Sequence, residues 1–249
     1  MLKGKCSPFS LQVLGPIYTS TETPAHLSIP FHHELAYLPI ERCPTALCFF
    51  CVTPAKKDGE TPVCASWRVY EKIQSARPHF VEQLTKRKVR YVRTIAARGS
   101  SVTLQKTWQD IFQAESREEC EKNARECGHE FFEWGVDSSL LKVTSVAQNP
   151  IHFDERTGRH VWFNAVALLH PASHPEVKRQ DAPWTVVYAD TMEEIADDDI
   201  HLILRVLQEE DRRILWQKND AICVDNVSCM HARASFEPPR LIWTTMFGK

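Results

Sequence analysis

Apolar positions along this chain fall into short runs and alternations more often than into helical stripes. Ala46-Leu47-Cys48-Phe49-Phe50-Cys51-Val52 is a continuous apolar run of strand length, which predicts a buried strand. Lys56-Lys57-Asp58-Gly59 then supplies turn chemistry, and residues 61–65 return as a second strand. Residues 89–95 alternate and are rich in β-branched side chains, which predicts another. Further strands are predicted over 130–134, 140–147, 160–165, 182–190, 221–226 and 240–247. The turn-rich Asp154-Glu155-Arg156-Thr157-Gly158 precedes the third of these. Residues 1–30, rich in Pro, Ser and Thr, read as a strand or two followed by loop.

Helical spacing appears in four places. Ser66 fits an N-cap ahead of Val69, Ile73 and Ala76, and the pattern stops at Pro78. Pro78 itself suits the first turn of a second helix to about Arg87. Ser116 with Glu119 three residues on predicts a capped helix ending at Cys127-Gly128. Residues 195–213 give the clearest stripe, with Ile200, Leu204 and Leu207 behind an acidic first turn that favours the helix dipole. Residues 97–115 are polar and irregular, and a loop of that length is expected to be mobile or functional. Many short strands with a few helices, and no internal repeat or linker, predict a mainly β fold with decorating helices. A single jelly-roll domain over residues 1–249 is expected.

Composition narrows the class. Hydrophobic residues make up 43% of the chain and charged residues 25%, an ordinary globular balance. A formal net charge of −2 without a basic run leaves no electrostatic footprint for nucleic acid. No stretch has the length of a signal peptide or the roughly 20 apolar residues of a membrane helix, so a cytoplasmic chain with no membrane partner is expected. Nine cysteines, an odd number scattered singly, do not resemble a disulfide framework. Cys48 and Cys51 are three apart and face opposite sides of a strand, which suits apolar strand residues better than a zinc pair.

Candidate chemistry gathers at the two ends. In Phe31-His32-His33-Glu34, His32 and Glu34 are two apart, so an extended strand points both to one face. His231, in Asp225-Asn226-Val227-Ser228-Cys229-Met230-His231, would complete two histidines and one carboxylate, a set that suits non-haem Fe(II) with open positions for cosubstrate and dioxygen. His33 is the less suitable ligand, because its i+2 neighbour is Leu35.

Taken in order, His32-His33-Glu34, Gly59-Glu60-Thr61-Pro62, Trp162-Phe163-Asn164, Trp216, Asp225-Asn226, His231-Ala232-Arg233 and Pro238-Pro239-Arg240 resemble the taurine dioxygenase/clavaminate synthase-like superfamily of Fe(II)/2-oxoglutarate oxygenases. The resemblance covers roughly residues 17–249 and implies a double-stranded β-helix, a cupin-like jelly roll. It implies His32, Glu34 and His231 as iron ligands and catalytic residues, with Thr61 and Arg240 on the far carboxylate of 2-oxoglutarate. An arginine fork suits a dianion as lysine does not, and Arg233 is the alternative holder. Asp225 and Asn226 are expected to support the strand leading to His231. Residues 97–115 fall where the family often carries a lid. His33, Asn164 and Arg233 are the candidate substrate contacts.

The implied reaction couples dioxygen and 2-oxoglutarate to oxidation of a small molecule, such as an amino acid or its derivative, releasing succinate and CO2. Glu34 argues against a halogenase, which needs that coordination position for halide. The alternatives are a cupin-like non-oxygenase metalloenzyme, which would need neither Thr61 nor Arg240, and a catalytically impaired relative that only binds metal or 2-oxoglutarate. The chain departs from the family pattern in a short region before His32, in Asn219 where Gly is common, and in Leu241 where relatives often carry a second arginine.

Overall fold

The computed structural model describes residues 12–20, 23–100, 106–175 and 177–248. The chain begins with β1 (Gln12–Leu14), β2 (Ile17–Thr19) and β3 (Ile29–His32). The apolar run becomes β4 (Ala46–Thr53), followed by β5 (Lys57–Asp58) and β6 (Thr61–Ala65). Helices α1 (Ser66–Ala76) and α2 (Pro78–Arg87) follow, the second opening on its proline. β7 (Val89–Ala96) is succeeded by α3 (Trp108–Phe112), α4 (Arg117–Glu126), β8 (His129–Trp134) and β9 (Leu140–Ser145). Next come β10 (Ile151–Asp154), β11 (Arg159–Trp162), α5 (Val166–Leu169), β12 (Trp184–Tyr188) and α6 (Asp197–Glu209). The last part contributes β13 (Arg212–Ile214), β14 (Ala221–Asp225), β15 (Cys229–Arg233), β16 (Phe236–Glu237) and β17 (Leu241–Phe247).

The molecule is mainly β with helices. One sheet has the order β1-β2-β17-β4-β14, a second β13-β6-β15-β3, and a third β12-β7-β9-β8, with the paired strands antiparallel. The first two sheets form no closed barrel among the described residues. Both are built from chain-distant pieces: β3 meets β15, and β4 lies between β14 and β17. Helices α1, α2 and α6 enclose the largest apolar core, in which Trp162, Ile73 and Ile203 are fully buried. Truncating an aromatic at such a position costs roughly 3–5 kcal/mol. No helix among the described residues is long and apolar enough to cross a membrane.

Three expectations change. Residues 195–213 end as a helix at Glu209, because Arg212–Ile214 pairs with Thr61–Val63 of β6. The segment 97–115 is not irregular throughout: Thr107 caps α3 reciprocally with Asp110, and Trp108 and Phe112 are buried in a second core with Leu141 and Val143. Residues 101–105 of the expected lid lie outside the described residues. The cysteines are not all single thiols: β4–β14 register places Cys48 opposite Cys223 with Cα atoms 4.3 Å apart, and the two are joined in a disulfide. Strand register, which brings them together, is not encoded in cysteine spacing. Cys51 is fully buried on the opposite face of β4.

Candidate metal and cosubstrate site

β3 and β15 run antiparallel, with His32 directly opposite His231 and their ring centroids 4.3 Å apart. Glu34 lies just past β3, and its Oε2 is 3.9 Å from Nε2 of both His32 and His231. The facing ligand atoms of the three residues all lie within 4.8 Å of one another. At 3.9 Å the carboxylate is too far from either imidazole for a hydrogen bond. Two metal–ligand bonds of about 2.1 Å reach at most roughly 4.2 Å, so one ion can bridge each of the 3.9 Å carboxylate–imidazole gaps.

Local bonding prepares the set. His32 Nδ1 lies 2.9 Å from the Pro30 carbonyl, a contact it makes as donor, and this leaves Nε2 with its lone pair toward the carboxylate. Burial is the largest cause holding His231 well below the ordinary histidine range, followed by His32 and His33; the neutral imidazole is the form that ligates metal. Burial raises Glu34, and His32 opposes it. Asn226, fully buried, accepts the Glu34 N–H at 2.7 Å and donates to the carbonyls of Glu34 and Pro44 at 3.1 and 2.8 Å. Asp225 Oδ1 accepts the N–H groups of Val227 and Ser228, shaping the turn into β15, and its other oxygen pairs with Arg156 at 2.7 Å. The expected supporting roles of both residues therefore correspond to specific bonds.

The triad opens into a small cavity that is continuous with solvent and lies between the first two sheets. Thr61 and Arg240 line it beside His32, Glu34 and His231. Arg240 uses Nε to hold the Gly59 carbonyl at 2.9 Å. Its remaining guanidinium nitrogens have no acidic or hydrogen-bonded partner among the described residues. Burial pulls Arg240 down to about 10, with Arg233 adding to the shift, so it stays charged at neutral pH. Gly59 has φ +78°, and a Cβ there would come within 2.7 Å of Ala55 Cβ, 2.9 Å of Phe236 Cβ and 3.2 Å of Arg240 Cδ. Thr61, 4% exposed, accepts a bond from Trp216 Nε1 at 2.9 Å, so its own hydroxyl proton is free to donate into the cavity.

The substrate expectations fare differently. His33 turns away from the cavity: it is 1% exposed, with Nε2 2.7 Å from Ser66 Oγ and its ring 4.6 Å from that of Phe163. Burial, with His32 second, lowers it to about 3. Asn164 is also corrected, since its Nδ2 donates to the Pro150 carbonyl and its Oδ1 accepts from Val166 N–H inside the core. Arg233 does line the cavity, but its Nη groups donate to the carbonyls of Thr23, Pro24 and Leu27, tying residues 23–27 to β15. Sequence reasoning gave no role to Phe49, whose ring stands 5.3 Å from that of His231 and walls the cavity. The alternation in β4 carried the signal, since Leu47, Phe49 and Cys51 share its inner face.

The chain has relatives that make this arrangement intelligible. The family model described as "Taurine catabolism dioxygenase TauD, TfdA family" matches residues 14–246. A clavaminate synthase-like protein of Arabidopsis thaliana is 32% identical over 235 residues, covering 94% of this chain and 69% of that protein. The dapdiamide synthesis protein DdaC of Enterobacter agglomerans is 30% identical over 239 residues, covering 91% of this chain and 67% of that protein. Among solved structures, an asparagine oxygenase in complex with Fe(II), 2S,3S-3-hydroxyasparagine and succinate superposes with a TM-score of 0.52 at 10% identity, over 93% of this chain. The chain spans 56% of that oxygenase's length, and the likeness is one of fold. By the match over residues 14–246 and the two sequence relatives, this chain belongs to the TauD/TfdA family of Fe(II)- and 2-oxoglutarate-dependent dioxygenases.

Proposed function

We propose that this chain oxidises an unactivated C–H bond of a small organic molecule, an amino acid or its derivative, with conversion of 2-oxoglutarate and O2 to succinate and CO2. One observation carries the reading: two imidazoles and a carboxylate converge in the same cavity as an arginine whose fork is unpaired. His32, Glu34 and His231 are the proposed metal ligands. Arg240 and Thr61 are the proposed holders of the distal 2-oxoglutarate carboxylate. A non-oxygenase metal site on the same two sheets would need neither. The first two sheets are read as the facing walls of a double-stranded β-helix.

Bound Fe(II) would supply the redox chemistry, for which no side chain in the cavity is suited. The chain's own contribution is orientation and electrostatics. The Pro30 carbonyl fixes the His32 tautomer, and Asn226 fixes the backbone of Glu34. Arg240 provides a permanent charge whose Nε is already committed to Gly59, so the two outer nitrogens face the ligand without a search of rotamers. Phe49 and Ile242 exclude water from one wall. Oxygen-dependent succinate formation from 2-oxoglutarate, measured with Fe(II) and a panel of amino acids, tests the reading. Succinate that depends on O2 and vanishes in Glu34→Ala is expected; none with any candidate would count against it.

A further inference from the structure

Arg93 presents a second guanidinium with no hydrogen-bonding or acidic partner among the described residues. It sits in the middle of β7, paired across strands with Trp184 of β12 and Val143 of β9. Its same-face neighbours along β7 belong to different apolar clusters, Tyr91 to the first and Ile95 to the second, so Arg93 occupies the seam between them. It is 8% exposed, and its Nε is fully buried without a hydrogen-bond partner. Among the described residues no carboxylate pairs with it. Nearby arginines do not share this condition: Arg90 pairs with Glu130, and Arg87 with Asp190 and Glu193. Among the described residues the groups around Arg93 are uncharged. They are Trp184, whose ring lies 4.8 Å from Cζ; Tyr37; and His129, which burial first and Arg93 second hold down to about 4. A buried charge without a counter-ion is destabilising, and a bound anion would relieve that cost.

The place of Arg93 relative to the triad indicates which anion. Tyr37 follows Glu34 by three residues through the tight turn closed by Leu38 N–H to Leu35 O at 2.8 Å. Its ring lies 5.6 Å from that of Trp184, over which Arg93 is held in turn at 4.8 Å. Arg93 is thus linked to the turn after Glu34 through the Tyr37–Trp184 pair, whereas Arg240 lines the triad cavity itself. Arg240 borders the cavity and Arg93 does not, so the two guanidiniums are assigned to different carboxylates. The other candidates are occupied: His33 and Asn164 are bonded in the core, Arg233 to backbone carbonyls, and position 241 is leucine.

We propose that Arg93, framed by Tyr37 and Trp184, is the specificity-determining anchor for a carboxylate on the substrate, and that the substrate is an acid such as a free amino acid. This rests on the oxygenase reading of the neighbouring triad and deepens it. The contact is a reversible charge-assisted hydrogen bond, with no covalent step.

The test compares the full-length wild type with Arg93→Met, using the proteinogenic L-amino acids, each beside its own primary carboxamide, as probes. With Fe(II) and 2-oxoglutarate under anaerobic conditions, at least one acid is expected to perturb the visible band, its amide about tenfold less effectively. Arg93→Met is expected to lose that preference while its own Fe(II)–2-oxoglutarate band forms at the same 2-oxoglutarate concentration. Metal-free Arg93→Met is also expected to unfold at a temperature no lower than the wild type, as removal of an unpaired buried charge implies; a merely structural arginine would give a fall. Equal response to acid and amide, a preference that survives in Arg93→Met, a response to none of the acids, or a lowered unfolding temperature overturns the proposal. If the wild-type band never forms, the oxygenase reading fails separately. In that event thermal shifts of metal-free wild type and variant with the same probes still decide the role of Arg93.

Discussion

Asn226 grips Glu34 at both ends of its backbone, accepting its N–H at 2.7 Å and donating to its carbonyl at 3.1 Å, although the two residues stand 192 positions apart. A third bond, to the Pro44 carbonyl, makes this fully buried amide the joint between the start of the chain and the strand that carries His231. Asn226→Ala removes three hydrogen bonds and leaves their backbone partners buried. A loss of about 3 kcal/mol in stability is expected, read by urea denaturation. Metal affinity should fall about 10- to 100-fold, read by Co(II) titration of the folded variant.

Gly59 keeps Arg240 in place by having no side chain. Its positive φ and the close approach of Ala55, Phe236 and Arg240 leave no room for a methyl group. Gly59→Ala is expected to cost about 1–3 kcal/mol and to raise the KM for 2-oxoglutarate more than it lowers kcat. Steady-state kinetics over a range of 2-oxoglutarate concentrations checks this. An unchanged KM would place Arg240 outside the cosubstrate site.

Glu210 ties α6 to α1 through Arg68 at 2.6 Å and Lys72 at 2.9 Å, with its side chain 5% exposed. The Arg68 hydrogen bond, with Lys72 behind it, pulls this carboxyl down to about 2. A depressed folded pKa means the stabilisation is present above the unfolded value of about 4.3 and is lost as pH falls from there towards 2. Glu210→Gln is therefore expected to lower the unfolding temperature at pH 7 and to flatten its dependence on pH below about 4.5. Parallel thermal melts of both proteins from pH 7 to 3 read the difference.

Much of this was legible in the residues, and for stated physical reasons. The period-two rule puts His32 and Glu34 on one face of an extended strand; β3 instead ends at His32 and Glu34 stands in the turn after it, from which its carboxylate still comes within 3.9 Å of the imidazole. The apolar run at 46–52 and the alternation at 89–95 both became central strands. Local signals stopped at long-range register. Nothing in cysteine spacing told that Cys48 would meet Cys223. Nor could it tell that Ser66, read only as a helix start, would take the His33 ring into the core. The end of α6 was missed because Arg212 to Ile214 have a strand partner in β6, an advantage that helical periodicity cannot weigh. Arg93 was hidden for the opposite reason: an arginine in an alternating strand reads as solvent-facing until the second apolar cluster is seen to cover it.

The central claim is that His32, Glu34 and His231 share one metal ion beside a 2-oxoglutarate held by Arg240. Its most direct test is an anaerobic titration of the purified protein with Fe(II) and 2-oxoglutarate, followed in the visible range. A weak charge-transfer band that saturates with one equivalent of metal, disappears in His231→Ala and needs far more 2-oxoglutarate in Arg240→Ala is the expected result. A well-folded wild type that gives no band, or a band that survives loss of His231, would contradict it.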